Sequence, residues 1–168
     1  TNCGPAPAIL HLLPTLWFRN TWSWGCKHEG CEVKPRMQAG APGQVLMHHA
    51  SLGRWVWEIE PVAGAQVPLL FTDNETNVQR LFNAANAGPH VKDAFDDHVI
   101  HGRADAVNPR RTGTKVAAHR VEEIAAGATV TMRLRLFAES EAPDRARGPA
   151  PAPANLGGGI FGDSFTEL

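Results

Sequence analysis

The sequence has no block of like charges and no long apolar run. Its 168 residues include 16 basic and 17 acidic side chains, which nearly cancel. Nucleic acid is therefore not expected as a partner, and neither is a polybasic contact with a membrane surface. Since no apolar segment is long enough to span a bilayer and no leader resembles a signal peptide, we predict no membrane partner.

Cysteine is scarce. The three cysteines, Cys3, Cys26 and Cys31, are too few for a secreted scaffold held by disulfides, which favours a cytoplasmic protein with free thiols. The segment from Cys26 to Cys31 also contains His28, so one alternative is a tetrahedral zinc site with Cys26, His28 and Cys31 and with Cys3 or another histidine as the fourth ligand. The spacing is looser than C-x2-C and no second paired cluster follows. We therefore favour free thiols in a variable loop and predict no metal and no other cofactor.

Sequence signatures of a complete active site are also missing. There is no nucleophile elbow, no Cys/His arrangement and no glycine-rich dinucleotide fingerprint. Residues 108–115, NPRRTGTK, superficially resemble a phosphate-binding loop but lack its first glycine and its Gly-Lys-Ser/Thr ending. We interpret them as a polar loop, with a positive φ at Gly113, that docks against another domain by hydrogen bonds.

Apolar and polar residues alternate with the period of β-strands in several places. Residues 54–60, RWVWEIE, and 129–137, TVTMRLRLF, show this pattern. Residues 8–18 are apolar on both faces, as in a strand buried on both sides. Pro14 cannot donate to a ladder, so this strand should end, bulge or lie at a sheet edge there. The pattern predicts a mainly β fold, an antiparallel β-sandwich in residues 1–138.

The remaining segments are polar or biased in composition. We expect an exposed loop at 25–43 and helical turns near 78–82 and 91–99. Residues 139–159 are rich in Ala, Pro and Gly, which indicates a linker or an insertion. Ser164 and Glu167 have the spacing of a capping box, so residues 160–168 are interpreted as the start of a truncated helical segment.

Two carboxylates stand close together in Phe71-Thr-Asp-Asn-Glu-Thr-Asn77. Asp73 and Glu75 are two residues apart, and glycoside hydrolysis uses a pair of carboxyl groups. However, the acid and the base of such a pair usually come from different elements. We favour Asx-type turns in which Asp73 and Asn74 bond the backbone.

Three tryptophans lie within LHLLPTLWFRNTWSWG, residues 10–25. Trp22 and Trp24 share a side if the chain is extended, and such rings can stack on sugars. Aromatic residues beside a strongly apolar strand are more often part of a core. We therefore assign Trp17 to the core, and we expect Trp22 and Trp24 to meet a neighbouring domain where the chain leaves the strand.

Four segments carry a resemblance to a known family. LHLLPTLWFRNTWSWG, PLLFTDNETNVQRLF, VKDAFDDHVIHG and AVNPRRTGTKVAAH, in this order, resemble the N-terminal β-sandwich region of bacterial proteins similar to glycoside hydrolase family sixty-three, the mannosyl-oligosaccharide glucosidase class. The resemblance covers about residues 9–137. It implies an incomplete, supersandwich-like β-sandwich that precedes a missing (α/α)6 barrel. In that family the catalytic acid and base lie on the barrel and hydrolysis proceeds with inversion, so no catalytic residue is assigned here.

These observations lead to one expected function and two alternatives. We expect a non-catalytic accessory domain of an α-glucosidase-like hydrolase, inactive alone, whose partners are its own barrel and, in the intact enzyme, an oligosaccharide. The alternatives are a stand-alone carbohydrate-binding β-sandwich with Trp22 and Trp24 as its platform, and a metal-binding interaction module. The candidate interdomain or pocket-rim residues are Asn20, Trp22, Trp24, Asp73, Asn74, Glu75, Asn77, Asn108, Thr112 and Lys115.

Overall fold

The computed structural model describes residues 1–25 and 27–142, without the side chain of Trp24. The predicted linker beyond residue 142 and the predicted helix start at 160–168 lie outside the described residues. The strands are β1 (Ala8–Leu12), β2 (Thr15–Trp17), β3 (Arg36–Ala39), β4 (Gln44–His49), β5 (Gly53–Ile59), β6 (Leu69–Thr72), β7 (Thr112–Gly113), β8 (Lys115–Ala118), β9 (Arg120–Ile124) and β10 (Leu134–Ala138); the helices are α1 (Val78–Phe82) and α2 (Ala94–His101).

The strands form antiparallel sheets. A five-stranded sheet has the order β10-β5-β4-β3-β7, a three-stranded sheet has the order β2-β8-β6, and β1 pairs with β9. The prediction of a mainly β chain with antiparallel sheets is confirmed. Within the described residues, no helix has the length and apolar character needed to cross a membrane.

Pro14 interrupts the first predicted strand. The pairs Leu12–Arg120 and Thr15–Ala117 continue one register across the gap between β1 and β2. The amide of Ala118 donates to the Pro14 carbonyl at 3.1 Å, and proline has no N–H with which to return the bond. The predicted end of the strand at Pro14 is therefore confirmed. Burial on both faces is wrong, because β1 and β2 are edge strands and Ile9 is 68% exposed.

The hydrophobic core lies between the five-stranded and three-stranded sheets. The first sheet contributes Val45 and Trp57, and the second contributes Phe71 and Val116, all buried. Each such side chain stabilises the fold by about 1.5–3 kcal/mol relative to an exposed one. On the opposite face of the three-stranded sheet, Phe95 of α2 packs on Leu70 and Ala117. Sheet, sheet and helix thus form three layers.

Two regions differ from the sequence prediction. The expected exposed loop at 25–43 contains β3, whose Met37 is buried in the core, and β4 follows it directly. The strand expected at 129–137 begins only at Leu134, as β10. In it Phe137 is buried and Leu136 is 50% exposed. Short strands with one apolar face resemble loops in composition, which explains the first error. The predicted helical turns at 78–82 and 91–99 correspond to α1 and, with shifted ends, to α2.

Candidate functional site

The candidate residues lie on segments that meet at one end of the three-stranded sheet. There β2 ends at Trp17, β6 ends at Thr72 and β8 begins at Lys115, and cross-strand pairing joins these three residues. The polar segments that follow Trp17 and Thr72, and the loop that precedes Lys115, carry nine of the ten candidates, and Lys115 itself is the tenth. We call this region the Glu75 end.

Glu75 is the centre of a hydrogen-bond network. Its Oε1 accepts from Trp22 Nε1 at 2.5 Å, and its Oε2 accepts from Ser23 Oγ at 2.8 Å and Asn20 Nδ2 at 2.9 Å. Lys34 Nζ lies 3.7 Å from Oε1, and the carboxylate side chain is only 19% exposed. Both oxygens are therefore occupied by donors of the same chain.

The environment of Glu75 also decides its charge. Burial raises the pKa of this carboxyl, whereas the hydrogen bonds from Trp22, Ser23 and Asn20 and the charge of Lys34 lower it, and the net shift is downward. Glu75 is therefore ionised at neutral pH. A general acid needs the opposite shift and a free route to the substrate, so this arrangement does not suit acid catalysis.

Asp73 and Asn74 hold distant segments together. Asp73 Oδ1 accepts from the amide of Thr114 at 3.1 Å, and its Oδ2 forms an ion pair with Lys34 at 2.8 Å. Asn74 donates from Nδ2 to the carbonyl of Phe18 at 2.9 Å. The interpretation that these side chains bond the backbone is correct, but the partners are far along the chain rather than within a local turn.

Asn77 organises the start of α1. Its Oδ1 accepts from the amide of Arg80 at 3.0 Å, which caps the helix, and its Nδ2 donates to Asp93. Arg80 and Asp93 complete the network through an ion pair at 3.0 Å. The helix buries none of its residues, and Leu81 and Phe82 are 59% and 71% exposed. Polar contacts, rather than a core, hold this helix in position.

The loop from Asn108 to Lys115 is fixed by its own polar groups. Asn108 Nδ2 donates to the carbonyl of Thr112 at 2.7 Å, and Thr112 Oγ1 donates to the carbonyl of Met37 at 2.8 Å. The positive φ predicted for Gly113 is wrong, since Arg111 has the positive φ, 52°, in this loop. Gly113 is required for another reason: a Cβ there would overlap the carbonyl of Thr72.

Lys115 points to the α2 side of the same sheet end. Its Nζ donates to the carbonyl of Lys92 at 2.6 Å and lies 4.8 Å from the ring centroid of Phe95. Burial lowers the pKa of this ammonium, against the opposing effect of Asp96 and Asp93. Lys115 is thus separate from the Glu75 network.

The structure brings some of the candidates into one network and places the others apart from it. Asn20, Trp22, Asp73, Asn74 and Glu75 share one network, Asn77 lies in the adjoining helix cap, and Asn108 and Thr112 brace a third segment. Trp24 ends a short 3-10 helix that begins at Trp22. Ser23, Lys34 and Thr114 complete the network, but the sequence analysis did not identify them. Single polar residues in loops carry no spacing signal that would reveal a partner 40 or more residues away, as with Ser23 and Glu75.

Trp17 and Trp22 have roles that differ from those predicted. Trp17, assigned to the core, is 59% exposed on the edge strand β2. Trp22 is half-buried, and its indole N–H is used by Glu75. The exposed ring is therefore the one that was expected to be buried.

The zinc alternative loses one of its ligands. Cys31 is disulfide-bonded, so it cannot act as a thiolate ligand, and the prediction of free thiols is wrong for this residue. Cys3 is free and exposed, and Cys26 lies outside the described residues. In the described part of the chain, no three His, Cys, Asp or Glu side chains are grouped closely enough to hold a metal ion. A cytoplasmic location stays a prediction.

His119 contacts two other histidines outside the Glu75 end. His11 Nδ1 lies 3.0 Å from His119 Nε2, and the rings stack at 5.2 Å between centroids. His98 of α2 meets His119 edge-on at 6.3 Å. Burial, followed by the charges of His11 and His98, lowers the pKa of His119.

Comparison with known proteins gives one relative of much greater length. The chain is 32% identical over 149 residues to a protein of Saccharomyces cerevisiae described as uncharacterized protein YMR196W. The match covers 75% of this chain and 13% of the yeast protein. No family model matches the chain, and no solved structure matches it.

Proposed function

We propose that this chain is a non-catalytic N-terminal region of a larger, α-glucosidase-like glycoside hydrolase, a supersandwich-like β-domain in which the Glu75 end packs on a catalytic (α/α)6 barrel and shapes the substrate entrance. One observation carries the proposal. At the Glu75 end, hydrogen bonds and ion pairs hold many polar side chains in place, and donors of the same chain occupy the carboxylates of Asp73 and Glu75, which leaves neither free to act as an acid or a base. Such a surface suits contact and positioning rather than bond cleavage.

The carboxylates of the Glu75 end support a non-catalytic role. Glu75 is saturated by donors from its own chain, and Asp73 is held by Thr114 and Lys34. In an inverting glycosidase, one carboxylic acid protonates the leaving oxygen and a second carboxylate activates water. Both groups would come from the barrel, and this chain would supply the rim beside them.

Helix α1 supports the idea of a docking surface. Its apolar side chains Leu81 and Phe82 are exposed, although the Asn77 cap and the Arg80–Asp93 ion pair fix the backbone that carries them. Ordered, exposed apolar side chains are costly in water unless another surface covers them. The yeast relative is much longer than this chain, which supports the idea that further residues of a longer protein cover Leu81 and Phe82.

The test compares variants in the longer protein to which the proposal assigns this chain. Leu81→Ser with Phe82→Ser should lower its hydrolysis of glucosyl oligosaccharides by about tenfold, because a misplaced rim disturbs substrate positioning. Leu52→Ser is the matched control, since Leu52 is 61% exposed in the turn between β4 and β5. The isolated chain should show no hydrolysis. Turnover by the isolated chain, or an equal loss in the control, would contradict the proposal.

A stand-alone carbohydrate-binding module is the second candidate. The exposure of Trp17 favours it, since an open indole face can stack on a sugar. Trp22 suits this role less well than the sequence suggested, because Glu75 fixes its ring. Titration of the isolated chain with oligosaccharides should give a saturable change in tryptophan fluorescence that Trp17→Ala removes. A flat titration rules out this candidate.

A further inference from the structure

A row of basic side chains crosses the outer face of the five-stranded sheet. Arg36 of β3 is the cross-strand partner of His48 of β4, and His48 is the partner of Arg54 of β5. All three are exposed, while Met37 and Met47, their neighbours along the strands, are buried. Because side chains alternate between the faces of a sheet, the three lie together on the face away from the core. We call them the basic row.

The basic row lines a cavity. Its volume is about 190 Å³, and its walls include Gln38, Leu46 and Glu139 in addition to the row itself. Side chains on directly opposed strand positions have Cβ atoms about 4.5–5.5 Å apart. The cavity is therefore lined by Arg36 on one side of His48 and by Arg54 on the other.

The charges of this cavity are incompletely paired. Arg54 forms an ion pair with Glu139, with Nε 2.5 Å from Oε2. Arg36 donates only to the hydroxyl of Thr112 at 3.3 Å, and among the described residues no carboxylate lies within ion-pair distance of it. Arg36 and Arg54 are not cross-strand neighbours, because β4 lies between β3 and β5. A bound anion would supply the negatively charged partner that Arg36 lacks among the described residues.

We propose that the basic row binds an anionic group, a phosphate or a carboxylate, between Arg36 and Arg54 and over His48. Guanidinium groups bind both kinds of anion through paired N–H donors. The imidazole N–H of His48 supplies a further donor at the centre. Glu139 opposes binding, because it competes for Arg54 and repels the ligand. This site is separate from the Glu75 end and does not depend on the function proposed for it.

The experiment titrates the 168-residue chain at low ionic strength and follows backbone amide NMR shifts. Inorganic phosphate is one probe, and glucuronate is the other, so that phosphate and sugar carboxylate are distinguished. We expect saturable shifts at Arg36, His48 and Arg54 with at least one probe. Arg36→Gln and Arg54→Gln should each weaken binding at least fivefold, whereas Arg110→Gln, an exposed arginine on another loop, should change it less than twofold.

Glu139→Gln separates the proposal from simple structural damage. Removing this carboxylate frees Arg54, so the affinity for the probe should rise about threefold or more. Circular dichroism checks that each variant keeps the fold. The proposal is overturned if neither probe saturates, if Glu139→Gln weakens binding as the arginine variants do, or if Arg110→Gln causes an equal loss.

Discussion

The Glu75 end and the basic row are both polar and both partly exposed, yet they differ in how their charges are paired. At the Glu75 end, each carboxylate accepts hydrogen bonds or ion pairs from several donors of the same chain. Along the basic row, the carboxylate of Glu139 pairs with Arg54, and among the described residues no carboxylate lies within ion-pair distance of Arg36. Internal pairing satisfies the carboxylates of the first region, whereas Arg36 in the second has only a hydroxyl partner among the described residues, and we therefore propose that the second region binds an anion. Polarity alone does not distinguish a structural network from a binding site.

The largest effect should come from the backbone contact beneath the Glu75 end. Gly113→Ala would place a methyl group against the carbonyl of Thr72, which forces the two segments apart. We expect a loss of about 2–3 kcal/mol in the free energy of unfolding, measured with urea. Gly88→Ala is the control, because its Cβ would meet no atom within 4 Å and its φ is not positive. Equal losses would show that the contact is not close.

Glu75→Gln should have the next largest effect. The amide keeps the size of the side chain but loses the charge that its donors stabilise, so the free energy of unfolding should fall by about 2 kcal/mol. Glu32 is an exposed carboxylate in the loop before β3, so Glu32→Gln should change the free energy of unfolding by less than about 0.5 kcal/mol. If the two variants behave alike, the Glu75 network is not the structural centre of this region.

Acid should weaken the molecule in two separate pH windows. The pKa of His119 is lowered in the folded state, so its contribution is fully present above its ordinary value of 6.5 and is lost as the pH falls below it. The pKa of Glu75 is also lowered in the folded state, so the stability that this carboxylate contributes is lost as the pH falls below its ordinary value of 4.5. Urea unfolding between pH 7.5 and 5.5 should therefore show a decline in stability that is smaller in His119→Gln.

His101→Gln is the control for the pH experiment. His101 is exposed at the end of α2, so this variant should keep the decline of the parent chain. A His119→Gln variant with the same pH profile as the parent would contradict the assigned origin of the decline.

The smallest effect should come from the basic row itself. Arg36→Gln should leave the free energy of unfolding within about 0.5 kcal/mol, because this exposed side chain loses one long hydrogen bond. If phosphate is the ligand, phosphate should raise the urea midpoint of the parent chain and not that of the variant, since a ligand of the folded state stabilises it. Equal shifts in both would place the bound anion elsewhere.

Local chemistry explains which parts of the fold could be predicted. The strand ends at Pro14 because proline lacks an N–H, and α1 begins after Asn77 because this side chain caps it. Both causes lie within a few residues. The exposure of Trp17 depends instead on β2 being an edge strand, which is decided by pairing with residues about 100 positions away. A single sequence carries no signal of that pairing.

The candidate site was predictable in composition but not in connectivity. Polar residues that follow apolar strands indicated Asn20 and the segment from Asp73 to Asn77. The donors that saturate Glu75 come from a segment more than 50 residues earlier, so the sequence could not show that this carboxylate is occupied. The same limit applies to the basic row, whose three members become neighbours only through the register of β3, β4 and β5.

Hydrogen exchange tests most directly the proposal that the Glu75 end contacts another domain. The backbone amides of α1, together with those of Asp73 to Asn77, are compared between the isolated chain and the longer protein to which the proposal assigns it. We predict at least tenfold slower exchange at these amides in the longer protein, with unchanged rates at Arg36 and Arg54 of the basic row. Equal exchange rates in α1 would contradict the proposal that this end packs on a catalytic barrel.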